Sequence, residues 1–246
     1  MARASRHILP GHVWHITHRC HKREFLLKFA RDRKRWIHWL YEAKRRYGLS
    51  VLNYTVTSNH VHLLVRDRGK QELPASMQLA AGCVAQEYNR RKSRKGAFWE
   101  DRYHATAVAT DEHLIQCLLY IDLNMVRTGV VSHPCDWPES GYSELVSMRQ
   151  RYTVHDIPAL MELLAIDDYE QLVTQRKIWV DQALAAGLGD DARDPRWTGG
   201  IAVGSYAFVE SVQLEIGYSA VGRSIVDIGG SSVLREDEKG YDVILT

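Results

Sequence analysis

Two pairs of side chains in this chain have types and spacings that could do chemistry: His60 and His62 around Val61, and Tyr120 and Asn124 four residues apart. Side chains alternate along a strand, so His60 and His62 project from one face while Val61 and Leu63 project from the other. Two imidazoles so placed can reach one metal ion, although the same pattern, taken alone, also describes a polar sheet face. On a helix, positions i and i+4 are neighbours, so Tyr120 and Asn124 share a face with Gln116 and Arg127, while Leu114, Leu118, Ile121 and Met125 form a stripe suited to a core. That helix, taken alone, can equally be read as a half-buried aromatic followed by a helix-end amide. Two nitrogen ligands, a third ligand and a candidate nucleophile are the parts that metal-assisted phosphodiester cleavage needs.

The elements that must position these groups follow from periodicity. Val13-Trp14-His15-Ile16-Thr17-His18 alternates and reads as a first strand after Pro10-Gly11. Apolar positions at three- and four-residue intervals predict a helix over 25–47, stopped by Gly48. Residues 49–56 and 60–65 read as strands around the turn Thr57-Ser58-Asn59, and 73–91 as a second long helix. A strand over 105–110 and a helix from 111 to about 125, capped by Asp111, complete the series. The order predicts an α+β fold, a mainly antiparallel sheet with helices packed on one face. Beyond Tyr152 the composition changes: helices are expected over 157–164, 169–186 and 203–216, a polar break over 187–200, and β-like runs at Ile225-Val226-Asp227-Ile228 and Tyr241-Asp242-Val243-Ile244.

Composition bounds the partners. The chain has 246 residues, 45% hydrophobic and 25% charged, enough for one full core and a smaller unit. Residues 1–151 hold 25 Lys/Arg against 14 Asp/Glu, and 152–246 hold 7 against 16, a balance of +11 against −9. A basic body followed by an acidic, mainly helical extension points to a polyanion as partner for the body. The cationic stretches are Lys22-Arg23, Arg31 to Arg35, and Arg90, Arg91, Lys92, Arg94 and Lys95, which could also be solvated faces. No run approaches the ~20 apolar residues of a membrane span and no cleavable leader is apparent, so a cytoplasmic protein without membrane association is expected. Cys20, Cys83, Cys117 and Cys135 lack metal-knuckle spacing and are expected to be free thiols.

Four segments together carry a specific resemblance: Trp14-His15-Ile16-Thr17-His18-Arg19, Asn59-His60-Val61-His62-Leu63-Leu64-Val65, Phe98-Trp99-Glu100-Asp101-Arg102-Tyr103, and Tyr120-Ile121-Asp122-Leu123-Asn124-Met125-Val126-Arg127-Thr128-Gly129. In order and spacing, over roughly residues 8–145, the chain resembles the REP-associated tyrosine transposases, of the single-tyrosine branch of the HUH (histidine, hydrophobic, histidine) nucleases. The resemblance implies a ferredoxin-like, RRM-like sheet with the His60–His62 strand near its centre. It implies a metal site of His60, His62 and Asn124 for Mg²⁺ or Mn²⁺, and Tyr120 as nucleophile. Arg102 and Tyr103 match a characteristic family motif, read as nucleic-acid contact or local packing, and Arg102, Arg19 and Arg127 join the cationic stretches as candidate DNA contacts. The activity implied is that of a DNA endonuclease and strand transferase, acting near the nucleoid on single-stranded DNA whose palindromic repeats fold into hairpins, as a monomer or homodimer. Cys20 and Met125 depart from the family's usual Gly and Pro, and neither change removes a reactive group.

On this reading residues 1–151 form the nuclease domain and 152–246 an accessory region whose role, whether dimerisation, specificity or autoinhibition, stays open. The competing expectation is a domesticated, non-catalytic regulator that binds hairpin DNA with the same fold. A three-histidine nucleotide hydrolase is disfavoured by Leu64 at the third alternating position, and an RNA-binding sheet by the lack of the aromatic pair it uses.

Overall fold

The computed structural model describes residues 8–147, 152–188 and 194–237; the β-like run at 241–244 lies outside them. In chain order the first elements are β1 (Val13–Arg19), α1 (Ala30–Tyr47), β2 (Ser50–Val56), β3 (His60–Arg66), α2 (Glu72–Arg91) and β4 (His104–Val108). β1 pairs antiparallel with β3 on one side and β4 on the other, and β3 pairs antiparallel with β2. The resulting order β2-β3-β1-β4 is the ferredoxin-like arrangement that the sequence implied, with the histidine strand inside the sheet. Register places Thr17 opposite His62 and Arg19 opposite His60.

α1 ends where expected because Gly48 takes the left-handed conformation, φ 73°, and its N–H caps the Lys44 carbonyl. Its start is later than the apolar spacing predicts: Lys22 and Arg23 adopt positive φ in a tight turn, and Leu26 and Leu27 enter the core before the helix begins. α1 and α2 lie together on the face carrying Ile16, Val61, Leu63 and Val65, with Trp36, Leu40, Met77 and Val84 between them and the sheet. The opposite face, carrying Leu64 and the two histidines, is covered by later helices.

These are α3 (Glu112–Asp122), α4 (Asn124–Arg127), α5 (Gly141–Val146), α6 (Ile157–Leu164), α7 (Tyr169–Ala185) and α8 (Pro195–Gly199). Asp111 caps α3 as expected, accepting from the His113 N–H at 2.9 Å. Leu114, Cys117, Leu118 and Ile121 pack against Leu52, Leu64 and Val108, which fixes how α3 crosses the sheet. The single helix expected over 111–125 is interrupted at Leu123, φ −80° and ψ 2°, so Tyr120 and Asn124 fall on two short helices.

After α8 come β5 (Ala202–Gly204), α9 (Tyr206–Ile216), β6 (Arg223–Ile228) and β7 (Ser231–Glu236). The helix expected over 203–216 therefore begins later, at Tyr206, because Ser205 caps it and the preceding residues join the sheet. β5 runs parallel to β4, pairing Ala107 with Ala202 and Val108 with Val203, and the β6–β7 hairpin continues beyond it. Gly229 and Gly230, both at positive φ, make the tight turn of that hairpin. Among the described residues a seven-stranded sheet results, in the order β2-β3-β1-β4-β5-β7-β6. No helix among the described residues is long and apolar enough to cross a membrane.

Candidate active site

β3 and the α3–α4 break build the site on the second sheet face. The Thr57 turn positions His60: the Thr57 hydroxyl accepts from the His60 N–H at 3.1 Å and lies 2.9 Å from Nδ1. Asn59 Oδ1, which can only accept, lies 2.7 Å from His60 Nδ1, so in the neutral ring Nδ1 carries the proton and Nε2 the lone pair. The same reasoning runs through His62. The Asn124 amide Nδ2 donates to His62 Nε2 at 3.0 Å, which makes Nε2 the lone-pair nitrogen, and Nδ1 then donates to His15 Nε2 at 3.0 Å. Both rings of the pair thus carry the lone pair on Nε2, the state in which imidazole binds a metal.

Burial keeps His62 there. His62 is held well below the ordinary histidine range, first by burial and then by the neighbouring His60 and His15. Burial, then His104, push His15 down to about 3, against a Trp197 main-chain group that favours the charged form. The rings of His15 and His62 are parallel at 5.2 Å, and those of His60 and His62 meet edge-on at 4.8 Å.

Tyr120 stands over this array, its ring 5.6 Å from His62 and 5.8 Å from His15, and only 8% exposed. The Arg127 guanidinium covers the Tyr120 ring at 4.1 Å and donates to the Tyr120 carbonyl at 2.6 Å, so the i+7 pair closes over the helix break. Asn124 Oδ1 is buried without a hydrogen-bond partner. A buried, unsatisfied amide oxygen costs free energy unless something electropositive joins it, and a divalent cation would satisfy it and take the His62 Nε2 lone pair once the Asn124 amide, which now donates to that nitrogen, turned over. The residues present therefore fit a metal.

The sequence singled out His60, His62, Tyr120, Asn124 and Arg127, and the fold brings all five together. His15 escaped it; its signal was parity, because His15 and Thr17 alternate on β1 and Thr17 pairs with His62. Arg19 and Arg102 line a cleft of about 220 Å³ beside His60, with Thr17, Glu100, Asp101, His104 and Thr198. Gln116 turns elsewhere, accepting from Arg196 at 3.1 Å. Lys22 and Arg23 are exposed on the turn next to Asn59, which donates to the Arg23 carbonyl. In the other basic runs some cations are engaged within the fold: Arg91 pairs with Asp32, Arg94 with Glu24, Arg33 with Glu139 and Arg35 with Glu87. Arg90, Lys92 and Lys95 are exposed. Trp14 is core, and Trp99 stacks on His18 at 4.0 Å and donates to the Ala81 carbonyl, so both serve packing. A second group of possible ligands among the described residues, Asp111, Glu112 and His113, opens α3, where Asp111 is engaged as the helix cap.

Residues 10–124 match the family described as "Transposase IS200 like". Over that segment, which is a little under half of the chain, it is similar to the IS200-like transposases. The match spans His15, His60, His62, Tyr120 and Asn124, whereas Arg127 and strands β5 to β7 lie beyond it. Among solved structures, the chain is similar to a REP-associated tyrosine transposase bound to a REP hairpin. The identity is 20% and the TM-score 0.50, over 63% of this chain and 90% of that one, a likeness of fold. A putative transposase from Deinococcus radiodurans R1 is similar at 17% identity and a TM-score of 0.35, over 48% of this chain and 93% of that one. No curated protein matches.

Proposed function

We propose that this chain is an IS200-like transposase, a metal-dependent single-stranded DNA nuclease and strand transferase acting on hairpins of palindromic repeats through Tyr120. The observation that carries the reading is the convergence of Tyr120 on His62 and Asn124, with Asn124 Oδ1 buried and unpartnered. The solved relative bound to a REP hairpin supports hairpin DNA as the substrate class. His60, His62 and Asn124 would hold Mg²⁺ or Mn²⁺, which supplies charge stabilisation at the scissile phosphate and at the leaving 3′ oxygen.

The remaining work falls to the chain's own residues. His15 holds His62 by hydrogen bonding to Nδ1, which keeps the Nε2 lone pair directed toward Asn124. Arg19 and Arg102, on the wall of the cleft, place cations where a phosphodiester enters beside His60. Arg127, packed on the Tyr120 ring, fixes the phenol and stabilises negative charge that develops as it loses its proton. Tyr120 Oη attacks phosphorus, the bond from phosphorus to O3′ breaks, and a 5′-phosphotyrosine and a free 3′-OH result. The ester bond keeps the energy of the original linkage, so a second 3′-OH can reverse the step and join strands.

The test is labelled hairpin DNA incubated with the chain and Mg²⁺ or Mn²⁺ and run on a denaturing protein gel. A labelled band at protein mass, lost in Tyr120→Phe while DNA binding persists, is expected. Tight binding without an adduct across metals and hairpins would instead support a non-catalytic hairpin-binding regulator.

A further inference from the structure

The nucleophile helix is held in place by residues that lie far beyond the family-matched segment. The Trp197 ring, on α8, lies 6.1 Å from the Tyr120 ring at 37° and 6.1 Å from the His15 ring, and is 1% exposed. On the next position Thr198 lines the cleft beside His60 and Arg102. α8 is itself pinned on both sides. Arg196 donates to Gln116 on α3 at 3.1 Å and to Ser231 on β7 at 3.0 Å, and the Gly200 carbonyl accepts from Thr106 on β4 at 2.6 Å. A Cβ at Gly200 would meet the Arg196 carbonyl at 2.5 Å, so the chain can turn from α8 into β5 there only with glycine. At the other end of α3, Arg176 on α7 pairs with Asp122, whose second oxygen accepts from Asn53 on β2 at 2.8 Å. Arg176 and Asp122 are both buried.

We infer that the accessory region is part of the catalytic apparatus: Trp197 is a positioning residue for Tyr120, and Arg176 anchors the end of the helix that carries it. The inference rests on the reading of Tyr120 as nucleophile. Without Trp197 the Tyr120 ring loses the aromatic neighbour that packs 6.1 Å from its centre. Because Tyr120 stands on the last full turn of a helix broken at Leu123, nothing in α3 itself restores it. An attacking atom displaced by about 1 Å loses on the order of 10²-fold in rate while leaving substrate binding unchanged. DNA affinity should therefore be insensitive to Trp197, and the bond-breaking step sensitive.

The experiment uses the full chain with ¹³Cζ-tyrosine, the Tyr120 resonance being assigned with Tyr120→Phe, and measures three quantities for wild type, Trp197→Leu and Trp197→Phe. These are the single-turnover rate of adduct formation, the affinity for hairpin DNA, and the position of the Tyr120 resonance. Trp197→Leu is expected to slow adduct formation by about 10²-fold, to bind hairpins as wild type does, and to shift the Tyr120 signal; Trp197→Phe, which restores an aromatic face, recovers most of the rate. Should Trp197→Leu not fold, a wild-type cross-peak between the Tyr120 and Trp197 rings and the rate of Trp197→Phe decide the matter. A folded Trp197→Leu chain with full rate and an unmoved Tyr120 signal overturns the assignment, as does a rate loss matched by an equal loss of affinity. A wild-type chain that forms no adduct overturns the nuclease reading itself, whereas an active wild type with an indifferent Trp197→Leu variant overturns only the role of Trp197.

Discussion

A histidine pair becomes a metal site only when each ring turns a lone-pair nitrogen to the ion, and here hydrogen bonds with Asn59, Asn124 and His15 set which nitrogen that is. His15→Leu removes the acceptor that holds His62 Nδ1–H. It is expected to lower affinity for Mn²⁺ by about 10–100-fold, read by calorimetric or paramagnetic titration; unchanged affinity would make His15 a packing residue only. His60→Ala and His62→Ala should each abolish cleavage that depends on added metal, and full activity in chelator would argue against the site. The pair was legible in the sequence because alternation along a strand is local. His15 was not, because its partner lies 47 residues away and is reached only through strand pairing.

Among the elements, α5 shows how a short helix that periodicity did not mark can secure a sheet. Its Glu144 accepts from the backbone N–H groups of Val154 and His155 at 2.8 and 2.9 Å and from the Tyr54 hydroxyl at 2.7 Å, tying the start of the accessory region to β2. Burial opposes ionisation of Glu144, but hydrogen bonding and charge from His155, together with the Tyr54 hydroxyl, outweigh it and bring the carboxyl down to about 2. A folded value below the unfolded one means that the stabilisation is present above pH 4.5 and is lost as pH falls toward 2. The shift corresponds to roughly 3 kcal/mol at neutral pH. Glu144→Gln should therefore unfold at lower denaturant at pH 7 and lose little more between pH 4.5 and 2, where wild type loses most; parallel acid-unfolding curves for the two chains would contradict this. Only six residues long, α5 gives periodicity too little to detect, and its strength comes from contacts with β2 and residues 154–155.

Over the whole molecule, the division into a basic 1–151 and an acidic 152–246 is one of charge, while the core is shared. Leu52, Leu64 and Leu118 pack in one cluster with Leu160, Leu172, Trp197, Val203 and Val233. The basic body is also less free than its composition indicates, because several of its cations are engaged by carboxylates of the same chain. Exposed Arg90 and Lys95 are expected to carry DNA contacts: each change to Ala should reduce the salt dependence of hairpin binding, by a log–log slope of about 0.7 to 0.9. Arg91→Ala instead strips the partner from buried Asp32 and should cost about 1–3 kcal/mol of stability, seen in thermal unfolding. Equal salt slopes for wild type and Arg90→Ala would remove that residue from the interface.

By itself the sequence determined a mainly antiparallel α+β fold and its two long helices, because alternation, helical spacing and caps are properties of neighbouring residues; the ferredoxin-like strand order and the roles expected of His60, His62, Tyr120 and Asn124 came from the family resemblance of its motifs. Only the tertiary structure decided that α3 crosses the histidine face, that a break at Leu123 lets Arg127 fold back on Tyr120, and that β5 joins the sheet beside β4. It also decided that Trp197 packs beside the tyrosine. Each of these depends on surfaces brought together from distant parts of the chain, where burial selects among arrangements that local patterns leave equivalent.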